Sequence, residues 1–380
     1  MEFTIQRDQF THAINTVSKA VSSRTTIPIL TGIKIVAHED GIILTASDSD
    51  ISIEQYIPAE SGEHQWIENI TPGSIVLPSR FLGEIVRKLP GEQVTISVHD
   101  RFVTTISSGR SQFNLNGMNA EDYPRLPQIE ENQVLSMPAD LLKTMIRQTV
   151  FAVATTETRP ILTGVMWSLE NGELTFVATD SHRLTTRKAT VESAAGLSFH
   201  NVVIPGKSLL ELSKILSDDD KLVDIVITDN QILAKVNQIL FYSRILDGTY
   251  PDTSRIIPQN MKTEMILSTK EFLGAIERAS LLARDGKNNV VRLFTRPDGV
   301  IEISSNIPEV GTVTEEIVPS STEGEDVKIS FNAKYMIDSL RVVDSTEIRI
   351  GFTGAMSPFI IRPTDHDWIL HLILPVRTNQ

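Results

Sequence analysis

Apolar residues recur at i, i+3 or i+4 and i+7 in three separated stretches: DQFTHAINTVSKAV (8–21), ADLLKTMIRQTVFAV (139–153) and TKEFLGAIERASLLA (269–283). That spacing lines one side of a helix, so each stretch predicts an amphipathic helix, with Ile14, Ile146 and Ile276 in matching places. A different pattern follows each of them. A short apolar strand runs into a second helical segment in SIVLPSRFLGEIVRKL (74–89), NVVIPGKSLLELSKIL (201–216) and KISFNAKYMIDSLRVV (328–343). Between the helices lie short runs with strand character, such as GIILTAS, GELTFVAT, DGVIEISS, QVTISVHD, DIVITD and EIRIGF. Turn residues bound them, which reads as hairpins.

The order of elements repeats three times. PILTG begins at Pro28 and again at Pro160, and the Asp-Ser pair begins at Asp48 and again at Asp180, so both matches share the same offset. One offset for two separate matches indicates a duplicated unit of domain size. The third copy keeps the element order with fainter identity. Each copy has two helices among many short strands, an α+β unit with mostly antiparallel sheets. The proline-bearing segments DYPRLP and PDTSRIIP suit linkers and place boundaries near 126 and 258, giving domains 1–126, 127–258 and 259–380.

Composition narrows the class. The 380 residues contain no cysteine, which excludes disulfides and thiolate metal sites. The N-terminus, MEFTIQRDQF, lacks a signal-peptide pattern, and WILHLILPV from Trp368 is too short to span a bilayer. These features favour a cytoplasmic protein. The formal net charge is −13, yet it is unevenly spread. It is zero over 8–21 and 269–283, +2 over 79–89, and +1 over each of 139–153, 206–216 and 332–343. The helices together carry +5 and the remainder −18, so a helical surface can face a polyanion inside an acidic whole.

Three stretches invite a chemical reading. FVATDSHRL (176–184) sets Asp180, Ser181 and His182 side by side, the residue set of a hydrolase. A Ser-His-Asp triad needs serine and histidine within hydrogen-bond reach, and neighbours on a strand point to opposite faces. The first repeat keeps Asp48-Ser49 but continues with Asp50 and Ile51, so the shared pair reads as scaffold at a strand end, while His182 and Arg183 are peculiar to the second copy. PGKS (205–208) suggests a phosphate loop, but the first glycine of that motif would fall on Asn201. The equivalent junctions read PSR at Pro78 and NAK at Asn332, so this is a repeated helix start with a local cap. The eight histidines are scattered, and His366 between two aspartates reads as a solvated turn. Neither a metal nor another cofactor is expected. A hydrolase and a non-DNA scaffold of the same repeats stay open on the residues alone.

The order and spacing of MEFTIQRDQF, RTTIPILTG, VATDSHRL, RILDGTYPDTSRIIP and the final LILPVR resemble the bacterial DNA polymerase III β subunits, the replicative sliding clamps, over essentially the whole chain. The resemblance implies three clamp domains per chain and a head-to-tail dimeric ring around duplex DNA. It implies a non-catalytic processivity role, with polymerase, clamp-loader and repair proteins docking by short hydrophobic peptides. It places the peptide groove at Leu162, Thr179, His182, Arg183, Leu184, Pro251, Arg255, Ile256, Met356, Pro358, Leu374, Pro375, Val376 and Arg377. It assigns a DNA contact to Arg24, while Pro160 and Ile161 stand where the family often has aromatics. It sets the ring seam at Phe113 and Leu115 against Leu281 and Leu282 of a second copy, with Arg110 toward Glu315 or Glu316. Many members have glycine where this chain has Ser181.

Overall fold

The computed structural model describes all residues except 23, 24, 63, 128, 130–132, 193–195, 218–220, 284–288, 309 and 378–380. The six helical segments anticipated from periodicity are present as α1 (Arg7–Val17), α2 (Ser79–Lys88), α3 (Ala139–Arg147), α4 (Gly206–Ser213), α5 (Thr269–Ala283) and α6 (Ala333–Leu340). Ile14, Ile146 and Ile276 are all buried, as one-sided helices require. The first and third helices are shorter than their patterns: α1 passes into a 3₁₀ turn at Ser18–Ala20, and α3 stops before one at Val150–Ala152. Beyond α3 the Thr149 hydroxyl bonds back to the Met145 carbonyl at 2.8 Å, and Gln148 reaches the Val342 carbonyl at 3.1 Å. Threonine back-bonding of this kind competes with helix continuation. At the repeated helix starts, Asn332 caps α6 through the Lys334 N–H, whereas Pro78 offers α2 no side-chain cap. Among the described residues no helix is long and apolar enough to cross a membrane.

The chain forms two compact units, residues 1–140 with 211–245, and residues 141–210 with 246–380. These do not coincide with the repeats, because strands of successive repeats share sheets. In the first unit an eight-stranded sheet joins Ile51–Pro58 of the first repeat to Ile239–Arg244 of the second, in antiparallel register Phe241↔Ile53. A five-stranded sheet accompanies it, ending on the edge strand Ser111–Asn116. In the second unit a nine-stranded sheet joins Arg183–Thr190 of the second repeat to Ile369–Ile373 of the third, with Leu184↔Leu372 in register. A four-stranded sheet ends on Gly311–Ile317. Strands with one buried face alternate strictly, as in Ile51–Pro58, whereas Ile369–Ile373 is buried throughout because both its faces are covered.

The repeated PILTG has a packing reason. Pro28–Thr31 and Pro160–Thr163 each form a 3₁₀ turn, with the threonine hydroxyl donating to the proline carbonyl at 2.7 Å in both. The glycine that follows lies against the neighbouring strand. A Cβ on Gly32 would sit 2.5 Å from Val76 Cγ1, and one on Gly164 2.6 Å from Val203 Cγ1 and 2.8 Å from the Ile204 carbonyl oxygen. Only glycine permits that approach.

Candidate peptide groove and ring seam

The turn after the strand Glu173–Thr179 organises the groove region of the second unit. Asp180 Oδ1 accepts the N–H groups of His182 (2.9 Å) and Arg183 (3.0 Å). Asp48 Oδ1 does the same for Asp50 (2.7 Å) and Ile51 (2.8 Å) in the first repeat. The shared Asp-Ser is thus an aspartate-stabilised turn, and its recurrence in the two repeats is a backbone requirement. Ser181 and His182 lie in this turn and not on a strand as the pattern suggested, because the strand resumes only at Arg183. Ser181 has a positive φ, in the left-handed region that glycine occupies without strain. No hydrogen bond joins the Ser181 hydroxyl to the His182 ring among the described residues. That ring instead lies near-parallel to Tyr335 at 6.4 Å between centroids.

Arg183, expected among the groove residues, turns its side chain into the fold. Its side chain is 7% exposed and its donors are taken within the fold. Nε donates to Asp180 Oδ2 at 3.0 Å, Nη1 to Asp338 Oδ2 at 2.8 Å and Nη2 to the Phe151 carbonyl at 2.6 Å. The guanidinium also sits 4.5 Å from the Tyr335 ring centroid and 5.3 Å from that of Phe151. Strand alternation explains this: Arg183 reaches Asp338 of α6 from one face of the strand, while Leu184 joins an apolar cluster on the other. Arg183 therefore fixes the turn to α6 from behind. Burial and the two neighbouring aspartates push the Tyr335 phenol above its ordinary pKa, burial being the larger cause.

On the other face, Leu162, Val177, Leu184, Val203, Tyr250, Ile360, Leu370 and Leu372 form one apolar cluster. Leu374, Ile257, Leu246 and Met261 pack against it half-open. The Tyr250 hydroxyl accepts the Thr179 N–H at 3.0 Å, and burial drives its pKa well above the usual phenol range. The Thr179 hydroxyl is also used internally, donating to the Arg183 carbonyl at 2.6 Å. The Leu374 N–H donates to the His182 carbonyl at 2.9 Å, and the Val376 N–H to the Ser330 carbonyl at 2.7 Å, so the C-terminal segment is laid along the sheet as a wall. Pro251, Arg255 and Ile256 are exposed on the loop beyond Tyr250, with Arg255 held to Asp252 at 3.2 Å. Met356 and Val376 line a separate hollow of about 440 Å³ with Phe294 and Lys328. Pro358 and Pro375 are partly covered, and Arg377 is exposed. Sequence reasoning missed Tyr250, Leu370 and Leu372. The alternation Leu370-His371-Leu372 carried the signal, but only strand pairing tells which face it serves.

The residues expected at the seam fall in different units, Arg110, Phe113 and Leu115 in the first and Leu281, Leu282, Glu315 and Glu316 in the second. Phe113 is 43% exposed on the edge strand Ser111–Asn116, beside half-buried Leu115 and exposed Arg110. Leu281 is 62% exposed near the end of α5, with Leu282 half-buried. Glu315 and Glu316 already have partners: Arg278 reaches Glu315 with 2.9 and 2.7 Å bonds, and Arg296 reaches Glu316 at 2.5 Å. An Arg110 contact would have to join those pairs. Arg24 lies outside the described residues. Several helical cations are paired as well, among them Arg80 with Glu84, Lys214 with Glu211 and Arg341 with Glu277. The positive excess is therefore carried by few side chains, including Arg87 and Lys88 at the end of α2. Among the described residues there is no cluster of metal-ligating side chains. His366 is not the solvated turn expected: its ring stacks on Trp368 at 3.9 Å, and burial lowers its pKa.

Comparison with known proteins accords with this architecture. The chain is 59% identical to the beta sliding clamp of Bacillus subtilis over 378 residues, and 57% identical to that of Halalkalibacterium halodurans over 379, covering 100% of both chains in each case. The crystal structure of the DNA polymerase sliding clamp from Bacillus subtilis superimposes with a TM-score of 0.97 at 59% identity, covering 100% of each chain. Residues 1–127, 136–252 and 254–377 match in turn the N-terminal, central and C-terminal domains of the DNA polymerase III beta subunit. The chain belongs to the DNA polymerase III beta subunit family, the beta sliding clamps.

Proposed function

We propose that this clamp chain acts as a head-to-tail homodimer of three-domain subunits (1–126, 127–258 and 259–380), closed around duplex DNA in the cytoplasm. It holds the replicative polymerase and other DNA-processing proteins by short peptides with apolar anchors and performs no bond chemistry of its own. A head-to-tail contact that closes after two copies gives a ring and not a filament. Retention by topology needs only weak phosphate contacts, which suits a chain of net charge −13 with a small basic excess on its helices.

The observation that carries the docking half of this reading is the apolar cluster around Leu162, Leu184 and Leu372, flanked by half-open Leu374 and Ile257. Aliphatic walls with few polar groups suit apolar peptide anchors. His182, Pro251, Arg255, Ile256, Met356, Pro358, Pro375, Val376 and Arg377 form the rim of this proposed site. The test loads the chain on nicked circular DNA with a clamp loader and then linearises the circle. Protein should stay on circles and leave linear DNA, and equal lifetimes on both templates would refute the topological reading.

A further inference from the structure

The face of the nine-stranded sheet that bears the apolar cluster continues into an unbalanced basic patch. On the strand Phe359–Pro363, Ile360 belongs to the cluster, and the next residue on the same face is Arg362. Its register partner on Glu347–Phe352 is Arg349. Two like charges directly opposite each other across antiparallel strands are unfavourable, and a sheet selected only for stability would place a carboxylate at one of them. Neither guanidinium has an ion pair or side-chain hydrogen bond among the described residues. On the adjoining strands the same face carries a second like pair, Glu264 opposite Glu323. Acid and base are therefore segregated, although Glu264 stands only one register step diagonally from Arg349. In a chain with 48 acidic and 35 basic residues, a cross-strand arginine pair that makes no ion pair among the described residues is not forced by composition.

The patch is open and continuous with the groove. Arg349 and Arg362 line a hollow of about 230 Å³ with Ile360, Met261, Gln259 and Glu264. Arg362 and Gln259 also line a larger one of about 800 Å³, which includes Leu370 and Ile257 of the apolar cluster. Besides Glu264, the charged groups facing these hollows are Arg187, Asp367, Glu173 and Lys188, and the last two are paired to each other at 2.7 Å. Gly351 lets Met261 lie flat between the cluster and the arginines, since a Cβ there would meet Met261 Sδ at 2.7 Å.

We propose that Arg349 and Arg362 form an acceptor for acidic residues flanking the apolar anchors of partner peptides. The inference rests on the groove reading and names the chemistry of its occupants. Same-face residues on a strand lie about 7 Å apart, so a carboxylate one or two residues from an anchor seated near Ile360 reaches Arg362. Arg349 is one strand further, about 5 Å away. Segregated charge of this kind selects partners more than it adds affinity.

Fluorescence anisotropy of labelled peptides tests it. One peptide carries two apolar anchors with neutral serine flanks. Two others carry a pair of aspartates before or after the anchors, and a fourth carries lysines. Against wild type at low salt, one aspartate peptide should bind about three- to tenfold tighter than the neutral one, and the lysine peptide weaker. The advantage should shrink with added salt. It should vanish in the R349Q/R362Q double variant and reverse in R349E/R362E, while the neutral peptide binds all three proteins alike. If the neutral peptide fails on wild type, the groove reading itself falls. If it binds but aspartates give no advantage, or the advantage survives in R349Q/R362Q, the groove stands and this inference is wrong. A labelled single-stranded oligonucleotide without anchors that matches the aspartate peptide, and is lost in R349Q/R362Q, would make the occupant a nucleic acid and overturn it too.

Discussion

Replacing Arg183 by alanine should weaken the chain far more than its place beside an exposed turn would suggest. The guanidinium is 7% exposed and bridges Asp180 at 3.0 Å to Asp338 at 2.8 Å. Removing one partner of a buried ion pair costs about 3–5 kcal/mol, because a carboxylate is left without compensation. Two features reduce that figure here: Asp338 keeps Lys334 at 2.8 Å, and Asp180 keeps the N–H groups of residues 182 and 183. Loss of the contacts to the Tyr335 and Phe151 rings adds about 0.5–1 kcal/mol. The expected net cost is about 3 kcal/mol. Hydrogen exchange at the amides of Leu184 to Thr186 provides a local reading, independent of whether the two units unfold together. A loss of about 3 kcal/mol accelerates it by about 150-fold. Asp338→Asn in the Arg183→Ala background should recover part of the loss, because exposed Lys334 alone compensates that largely buried carboxylate only in part. Peptide affinity should fall as well, through the His182–Leu374 backbone link, because the Arg183 donors are used within the fold. Exchange within fivefold of wild type would refute the argument that this network holds the turn to α6.

Ser181→Gly should raise stability measured by urea titration by up to about 1 kcal/mol, since it relieves a serine held at positive φ, and a clear loss would show that the serine side chain compensates for its backbone. His371 is fully buried, with Nδ1 3.0 Å from the Thr185 hydroxyl and Nε2 without a partner among the described residues, and burial foremost, then Arg183, lowers its pKa to about 3 from an ordinary 6.5. The unfolded chain therefore binds the proton first as pH falls below about 6.5, and folding loses about 2 kcal/mol from this group by pH 5; His371→Phe should flatten that part of the stability–pH curve measured by urea titration. Gly164→Ala should cost about 1–3 kcal/mol in the same assay, because its Cβ would lie 2.6 Å from Val203 Cγ1. Leu281→Ser with Leu282→Ser should shift sedimentation from dimer to monomer, each leucine buried at a seam contributing about 1.5–3 kcal/mol, and a wild-type monomer at micromolar concentration would defeat the seam assignment.

By itself the sequence determined the repeat, the helices and the turn chemistry. The common offset of PILTG and Asp-Ser, the helical period around Ile14, Ile146 and Ile276, and the Asp-Ser turns all depend on neighbours in the chain, so they are written locally. It also pointed to a groove near residues 179–184 and 374–377, through resemblance to the sliding clamps. What it left open depends on pairing between distant strands. Arg183 looked like a recognition residue because its spacing says nothing of which face it serves. The register Leu184↔Leu372 decides that Leu184 joins the apolar cluster and Arg183 turns inward to Asp338, 155 positions away in the chain. The same long-range register sets Arg349 opposite Arg362 and makes a charged patch from residues that look ordinary in sequence. Strand partners hydrogen-bond through backbone groups common to every residue, so only the folded sheet selects which side chains meet.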